Sequence, residues 1–243
     1  MVDVKGKWDL VTGASRGIGK LAATFLAEHG CNIIALSRSL EHTKELKHEL
    51  ECKGIEVFCV EAELSDVESV KRALAEIDNA GMRVDIVLNN AAVQIAYRTD
   101  YYKTPVSDYE QSFVINTISP MLICYHFLPK MIDSGFGRIV NTTSGIQNEP
   151  EQAGYSASKA ALDKVTLDIC SKLQGSDVIM SLTDPGWCRT DLGGPHAPNA
   201  PESALPGVVV GAFVDDKKSG RLFRAGDFYD MTLEQAVAKA EAL

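Results

Sequence analysis

The chain has 243 residues, of which 45% are hydrophobic and 23% are charged, and its formal net charge is -9. This is the composition of an ordinary globular protein, and the length allows one large α/β domain with a well-buried core. The acidic balance, without a basic stripe, argues against nucleic acid as a partner.

The first residues, the apolar run at 204–214 and the cysteines indicate the cellular location of the protein. Residues 1–7 lack the apolar core of a signal peptide, and the apolar run at 204–214 is too short to span a bilayer. The six cysteines are scattered and form no C-x-x-C pair, which is typical of reduced cytosolic thiols. We therefore expect a cytoplasmic protein that does not enter the membrane.

Strand and helix patterns alternate along the chain. Strands are predicted at 8–12, 32–36, 55–60, 84–88, 137–141, 178–183 and 221–223. Helices are predicted at 20–29, 41–53, 66–79, 107–134, 153–173, 202–214 and 232–243. The alternation predicts one α/β domain over 1–243, a doubly wound, Rossmann-like parallel sheet with helices on both faces.

Local signals refine this prediction. Ser65 and Thr232 are candidate N-caps of the third helix and of the helical tail at 232–243. The stretch 193–207 holds four prolines and few large apolar residues, and we expect it to be a mobile lid over the site. Asp9 places a charge in a strand that should be buried on both faces, and the sequence gives no reason for it.

A glycine-rich turn joins the first strand to the first helix, with Gly13, Gly17 and Gly19 in the spacing G-x-x-x-G-x-G. Strand, glycine turn and helix are the context of a dinucleotide site, because glycines let the backbone approach a pyrophosphate at a helix N-terminus. Glycine-rich turns are common in proteins, so this turn alone does not establish a dinucleotide site.

The end of the second strand predicts which dinucleotide binds. An acidic residue about 20 positions after the glycine turn would bind the ribose of NAD, whereas an arginine suits the 2′-phosphate of NADP. This chain has Ser37 and Arg38 there, and Arg16 in the turn. Two guanidinium groups converging on one phosphate would favour NADP(H) over NAD(H). The alternative is a pair of solvent-exposed arginines.

Tyr155 and Lys159 stand four residues apart, and therefore on one face of the predicted helix. A nearby ammonium favours the phenolate and lowers the phenol pKa, which suits general acid–base catalysis. A core tyrosine beside an exposed lysine gives the same pattern, so the pair needs support from the rest of the chain.

That support comes from a set of motifs in a fixed order. They are Thr12-Gly13-x-x-x-Gly17-x-Gly19, Asn89-Asn90-Ala91, Asn116, Ser144, Tyr155-x-x-x-Lys159, and Pro185-Gly186 with Thr190. Over residues 6–192 the chain resembles the short, single-domain members of the short-chain dehydrogenase/reductase family.

The resemblance implies four catalytic roles. Tyr155 would protonate a carbonyl oxygen during reduction, and Lys159 would lower its pKa and bind the nicotinamide ribose. Ser144 would hold the carbonyl oxygen, and Asn116 would support a water that links Lys159 to solvent.

The strand ends and the resemblance together also predict a cofactor site. Its predicted residues are Gly13, Ser15, Arg16, Gly17, Ile18, Gly19, Ser37, Arg38, Glu63, Leu64, Asn90, Ala91, Tyr155, Lys159, Pro185, Gly186 and Thr190. Five further residues follow strand ends or lie in the stretch 193–207, and they either shape the substrate pocket or are plain loop: Gln94, Ile146, Gln147, Trp187 and His196. The five histidines show no metal-ligand spacing, so we expect no metal site.

The chain departs from the family pattern in places. Glu63 stands where an aspartate commonly contacts adenine, and Ser144 precedes Tyr155 by a shorter interval than usual. Thr142 or Thr143 could take the hydroxyl role instead, although Ser144 fits the strand-end pattern best. The segment 185–195 looks more like the carbonyl-reductase branch than the acyl-carrier-protein reductases.

The sequence therefore predicts an NADPH-dependent reductase of a ketone or aldehyde, working reversibly on a small molecule. A 3-oxoacyl-carrier-protein-type reductase and a catalytically idle NADP(H)-binding regulator or scaffold are the alternatives. By resemblance, subunits would pair through the helices carrying Asn116 and Tyr155, giving a homodimer or homotetramer.

Overall fold

A computed structural model describes residues 1–243 and contains one seven-stranded parallel sheet in the order β3-β2-β1-β4-β5-β6-β7. The strands are β1 (Trp8–Thr12), β2 (Asn32–Ser37), β3 (Val57–Glu61), β4 (Ile86–Asn89), β5 (Gly137–Thr142), β6 (Val178–Asp184) and β7 (Leu222–Arg224). The chain order reverses between β1 and β4, and that switch point is where ligands bind in sheets of this kind.

Helices cover both faces of the sheet. They are α1 (Gly17–Glu28), α2 (Lys44–Glu51), α3 (Val67–Asn79), α4 (Val106–Phe113), α5 (Ser119–Ser134), α6 (Ala153–Cys170) and α7 (Leu233–Ala242). Alternate residues of one strand enter different cores: Val11 belongs to the core that includes α1, α2 and α7, and Leu10 to the core that includes α3, α5 and α6. The predicted doubly wound α/β fold is confirmed.

The predicted helix at 107–134 is continuous but changes its geometry in the middle. A π-helical turn, Val114–Ile118, joins α4 to α5. Pro120, in the first turn of α5, has no N–H to donate to the carbonyl of Asn116 four residues earlier, so the helix widens there. By length and composition Val106–Ser134 could cross a membrane, yet half of its apolar window is buried inside the fold, as in core helices of soluble domains.

The predicted helix at 202–214 is wrong. The structure has only short 3-10 turns there, Pro201–Ala204 and Val210–Ala212. Pro206 cannot donate a helical hydrogen bond, and residues 208–214 are buried on every side rather than along one stripe.

One of the two predicted N-caps is wrong and the other is confirmed. Asp66, not Ser65, caps α3, because its carboxylate accepts the N–H of Glu68 at 2.9 Å. Thr232 caps α7 as predicted, in a reciprocal arrangement with Gln235.

Candidate active site

The turn between β1 and α1 has room only for glycine at its critical positions. Gly13 and Gly17 have φ of +69° and +54°, in the left-handed region that favours glycine. A Cβ on Gly19 would stand 2.2 Å from the carbonyl oxygen of Gly13 and 2.6 Å from Nδ2 of Asn90. The backbone of α1 therefore lies against the strand ends with no side chain between them.

The N-terminus of α1 suits an anionic ligand. Arg16 is its N-cap residue and provides no side-chain cap, and the first turn contains no acidic side chain. The first N–H groups of the helix, beside Ser15 and Ile18, therefore lack a side-chain acceptor and retain the positive end of the helix dipole. A pyrophosphate fits this turn both sterically and electrostatically.

Thr12 fastens this turn to the end of β4. Its hydroxyl accepts the N–H groups of Asn90 and Ala91, each at 3.0 Å, and Nδ2 of Asn90 donates to the Thr12 carbonyl at 3.3 Å. The ends of β1 and β4 are thereby fixed as one surface.

The predicted phosphate-binding arginines have different surroundings. Arg38 is exposed after β2, where the Ser37 hydroxyl donates to the Ser39 carbonyl at 2.6 Å. Arg16 instead pairs with Asp191, with Nη1 2.6 Å from the carboxylate. Arg16 and Asp191 are both largely exposed, so this ion pair does not decide whether the two guanidinium groups converge on one phosphate, which stays a prediction.

After β3, Glu63 and Leu64 each accept a hydrogen bond, one local and one from a distant helix. The Glu63 carboxylate accepts the N–H of Ser65 at 3.1 Å, and the Leu64 carbonyl accepts the Ser119 hydroxyl at 2.7 Å. These bonds place Glu63 at the carboxyl edge of the sheet beside β2, the strand that pairs with β3.

Tyr155 and Lys159 lie in α6 and are both almost fully buried, with 7% and 2% of their surface exposed. Nζ of Lys159 donates to the carbonyl oxygen of Thr142 at 2.7 Å. Burial lowers the pKa of Lys159 to about 8, against the attraction of Asp163 and Asp184.

The expected low pKa of Tyr155 is wrong for this structure. Burial raises the pKa of the phenol, a hydrogen bond with the Ser144 hydroxyl opposes the rise, and the Asp184 carboxylate adds to it. The ammonium of Lys159 is directed at Thr142 instead of the phenol. Ser144 is thus placed beside Tyr155 as predicted for the hydroxyl partner, whereas Thr142 is engaged through its backbone and the Thr143 side chain is buried.

Asn116 connects the β4 loop to α6. Its amide oxygen accepts the N–H of Val93 at 2.9 Å, while its amide nitrogen donates to the Val93 carbonyl at 2.9 Å and the Ser158 hydroxyl at 3.0 Å. Ser158 in turn donates to the carbonyl of Tyr155 at 2.7 Å. Asn116 therefore fixes the helix turn that carries Tyr155.

The loop after β6 closes the site from the other side. Gly186, which follows Pro185, has a φ of +73°. Thr190 packs over the glycine turn, with its Cγ2 3.4 Å from the position of a Cβ on Gly17. The ends of β1 and β6 thus face each other across the cleft.

The five candidate substrate residues differ in their exposure. Gln94 and Ile146 are half-buried, whereas Gln147 and His196 are exposed. Trp187 is 58% exposed, and its indole N–H donates to the Gly193 carbonyl at 2.7 Å. Trp187 thereby ties the loop after β6 to the predicted lid.

The predicted lid at 193–207 folds back on that loop. Asn199 pairs with Cys188 in a β-bridge, and the Arg189 guanidinium donates to the carbonyls of Ala197 and Pro198. Mobility of this segment stays a prediction.

Sequence reasoning missed Ser158 and Asp184 at the site, and it gave Thr12 no role beyond the first position of the glycine motif. Ser158 carries the contact between Asn116 and Tyr155, Thr12 clamps two strand ends, and Asp184 lies beside the reactive pair. The sequence signal for a role of these residues was their position next to known motifs. Ser158 adjoins Lys159, Thr12 begins the glycine turn and Asp184 precedes Pro185.

Comparison with protein families gives a match to the short chain dehydrogenase model over residues 7–200. One similar protein is the 3-oxoacyl-[acyl-carrier-protein] reductase FabG of Aquifex aeolicus, 33% identical over 194 residues that cover 79% of this chain and 77% of the relative. Another is the oxidoreductase UcpA of Salmonella typhimurium, 32% identical over 84% of this chain and 80% of the relative.

Solved structures share the fold. A putative NAD(P)-dependent gluconate 5-dehydrogenase from Beutenbergia cavernae, with bound NADP, superposes with a TM-score of 0.81 at 25% identity, covering 92% of this chain and 96% of that one. A metagenomic short-chain oxidoreductase in complex with NADP gives a TM-score of 0.78 at 26% identity, covering 92% and 99% of the two chains.

Proposed function

Because the chain belongs to the short-chain dehydrogenase family, we propose that it is an NADPH-dependent oxidoreductase that reversibly reduces a ketone or aldehyde to an alcohol. The observation that carries the proposal is the buried pair Tyr155 and Lys159 on one face of α6, with Ser144 close enough to influence the pKa of the phenol. A protein that only binds the dinucleotide has no physical need of this pair.

The residues divide the chemistry among them. When bound, the cofactor supplies the hydride to the carbonyl carbon. Tyr155 donates its proton to the carbonyl oxygen as negative charge grows there, and Ser144 donates a second hydrogen bond to the same oxygen. Lys159, one helical turn from Tyr155, would hold the nicotinamide ribose, and Asn116 fixes the turn of α6 that carries Tyr155.

Preference for NADP(H) is supported by the end of β2. Arg38 is exposed there, beside a serine instead of an acidic residue, which suits a 2′-phosphate better than a free ribose hydroxyl. Two similar solved structures contain NADP. The glycine turn would hold the pyrophosphate, and Pro185, Gly186 and Thr190 would border the nicotinamide.

An acyl-carrier-protein substrate is the second candidate function, because the Aquifex relative is named for it. The charges near the site favour a small carbonyl compound instead. Arg98 is bound by both oxygens of Asp108, at 2.7 and 3.1 Å, and Arg16 is paired with Asp191. Each of these cations is paired with a carboxylate, which weakens its attraction for a large anionic partner.

Association with a second copy of the chain is supported by an apolar stripe on α5. Ile118, at the end of the π turn, and Tyr125 and Ile132 are spaced by seven residues and are all exposed, the last two by more than half. Exposed apolar side chains in one row are typical of an association surface. We propose a homodimer or homotetramer in the cytoplasm, a location that agrees with six free cysteines, and sedimentation velocity measures the oligomer directly.

A panel assay tests the proposed function. The purified protein is mixed with NADPH and a series of ketones, aldehydes and a 3-oxoacyl thioester, and loss of the reduced nicotinamide absorbance is followed. The proposal predicts turnover with at least one small carbonyl compound. Turnover of the thioester alone would favour the second candidate, and cofactor binding without any turnover would favour an idle binder.

A further inference from the structure

Asp184 is a carboxylate at the carboxyl edge of the sheet, and the proposed chemistry does not use it. It ends β6, directly before Pro185 and Gly186. One carboxylate oxygen accepts the N–H of Gly186 at 2.9 Å. The other lies 2.8 Å from the position of a Cβ on Gly145, the residue after Ser144. The carboxylate is therefore wedged between the ends of β5 and β6.

The charge of Asp184 reaches the reactive groups. It raises the pKa of the Tyr155 phenol, and it favours the charged form of Lys159. It also raises the pKa of the Cys188 thiol on the far side of the turn. No lysine or arginine in the chain forms an ion pair with it, and its hydrogen bond is to a neutral backbone N–H. Asp184 thus presents negative charge to the part of the cleft that the proposed function assigns to the nicotinamide.

We propose that Asp184 stabilises the oxidised, positively charged nicotinamide and so raises the affinity of the protein for NADP⁺ relative to NADPH. This inference rests on the proposed function for the placement of the ring. The nicotinamide ring carries a positive charge when oxidised and none when reduced, so a fixed carboxylate distinguishes the two states. A pair of unit charges about 10 Å apart, at an effective dielectric constant near 20, changes affinity by roughly tenfold before solvent screening.

The same placement gives Asp184 an effect on the direction of the reaction. Tighter binding of the oxidised cofactor shifts the equilibrium on the protein towards NADP⁺ and product alcohol, and it slows the release of NADP⁺. A neutral residue before Pro185 would remove this bias. In this role Asp184 attracts the positive charge of the oxidised nicotinamide ring and takes up no proton.

Asp184→Asn isolates the charge, because the asparagine oxygen can still accept the N–H of Gly186. Isothermal titration calorimetry gives the Kd of NADP⁺ and of NADPH for wild type and variant. The proposal predicts NADP⁺ binding weakened by about threefold to thirtyfold, with NADPH binding changed by less than about twofold. Equal changes for both cofactors, or no change for either, would overturn it.

Asp163→Asn is the matched control. Asp163 follows Lys159 by one helical turn and also favours its charged form, but it lies on α6 rather than at the strand end. The ratio of the two dissociation constants should stay at the wild-type value in this variant. If the Kd of NADP⁺ rises relative to that of NADPH as much as in Asp184→Asn, any negative charge near Lys159 would produce the effect. That result would contradict the specific role of Asp184.

Two further measurements distinguish a failure of this proposal from misfolding of the variant and from a failure of the proposed function. Asp184→Ser, also neutral and able to accept a hydrogen bond, must reproduce the selective loss of NADP⁺ if Asp184→Asn does not fold. Wild type that binds neither cofactor would overturn the proposed function itself, whereas wild type that binds both with an unchanged ratio in the variants overturns only the role of Asp184.

Discussion

The ammonium of Lys159 donates a hydrogen bond to the carbonyl oxygen of Thr142 at 2.7 Å, and it does so in a site with 2% of the residue exposed. The end of β5 is thereby joined to the helix that carries Tyr155. The contact also means that a charged group is held away from water, at a cost in stability.

Lys159→Met is expected to make stability less dependent on pH. Burial lowers the pKa of Lys159 from 10.5 to about 8, so the cost of its charge is fully present below pH 8 and disappears as pH rises through 10.5. The stability of wild type relative to Lys159→Met should therefore rise by up to about 3 kcal/mol between pH 7 and pH 10.5. Urea unfolding at several pH values measures it, and a difference independent of pH would contradict the buried charge.

Asp9→Val is expected to stabilise the protein. Asp9 is fully buried beside Ile33 and Ile86 in the neighbouring strands, and neither carboxylate oxygen has a hydrogen-bond partner. Burial raises its pKa well above the ordinary value, so the folded state loses stability as pH rises above about 4.

The gain at pH 7 should be about 2 kcal/mol or more, and it should shrink towards pH 4. Thermal and urea unfolding of both proteins at pH 4 and pH 7 measure this difference. A variant less stable than wild type at pH 7 would show that the carboxylate has a stabilising partner.

Gly19→Ala is expected to abolish dinucleotide binding. Its methyl group would meet the Gly13 carbonyl at 2.2 Å, so α1 must move away from the strand ends. Gly226→Ala is the matched control, because the nearest atom to its methyl group is 4.0 Å away. Calorimetric titration with NADPH should show loss of affinity of about a hundredfold or more for the first variant, an estimate that follows from the close approach a pyrophosphate needs. Equal affinities would contradict the proposed cofactor site.

Arg38→Asp is expected to reverse the cofactor preference. The new carboxylate would repel a 2′-phosphate but could accept a hydrogen bond from a ribose hydroxyl. NADPH affinity should fall by about a hundredfold, and NADH affinity should be kept or improved. Lys172→Asp makes the same change in charge at an exposed turn just beyond the C-terminal end of α6 and should alter neither affinity. Equal losses for both cofactors in Arg38→Asp would contradict the phosphate contact.

Most of the strands and helices were predictable from local sequence patterns, and the incorrect predictions have physical causes. Strand ends were predicted to within about two residues, since buried parallel strands are continuous apolar runs bounded by glycine and polar residues. The false helix at 202–214 arose because a segment buried on all sides, such as 208–214, has no stripe to identify. The long helix was predicted as uniform, whereas the missing N–H of Pro120 widens it into the π turn at 114–118.

The candidate site was predictable where chemistry follows chain order, as for Tyr155, Lys159 and the glycine turn. It was not predictable where contacts join distant segments. The pairing of Arg16 with Asp191 spans 175 positions, and the placement of Asp184 beside Tyr155 depends on the register of β5 and β6. The raised pKa of Tyr155 likewise comes from burial, which spacing along a helix does not reveal.

The most direct test of the account is the reduction rate of Tyr155→Phe with NADPH and a carbonyl substrate found in the panel assay. Phenylalanine keeps the packed ring and removes only the proton donor. The account predicts a fall in kcat of about a hundredfold to ten-thousandfold, with the Kd for NADPH within about twofold of wild type. Wild-type kcat in this variant would contradict the assignment of Tyr155 as the general acid.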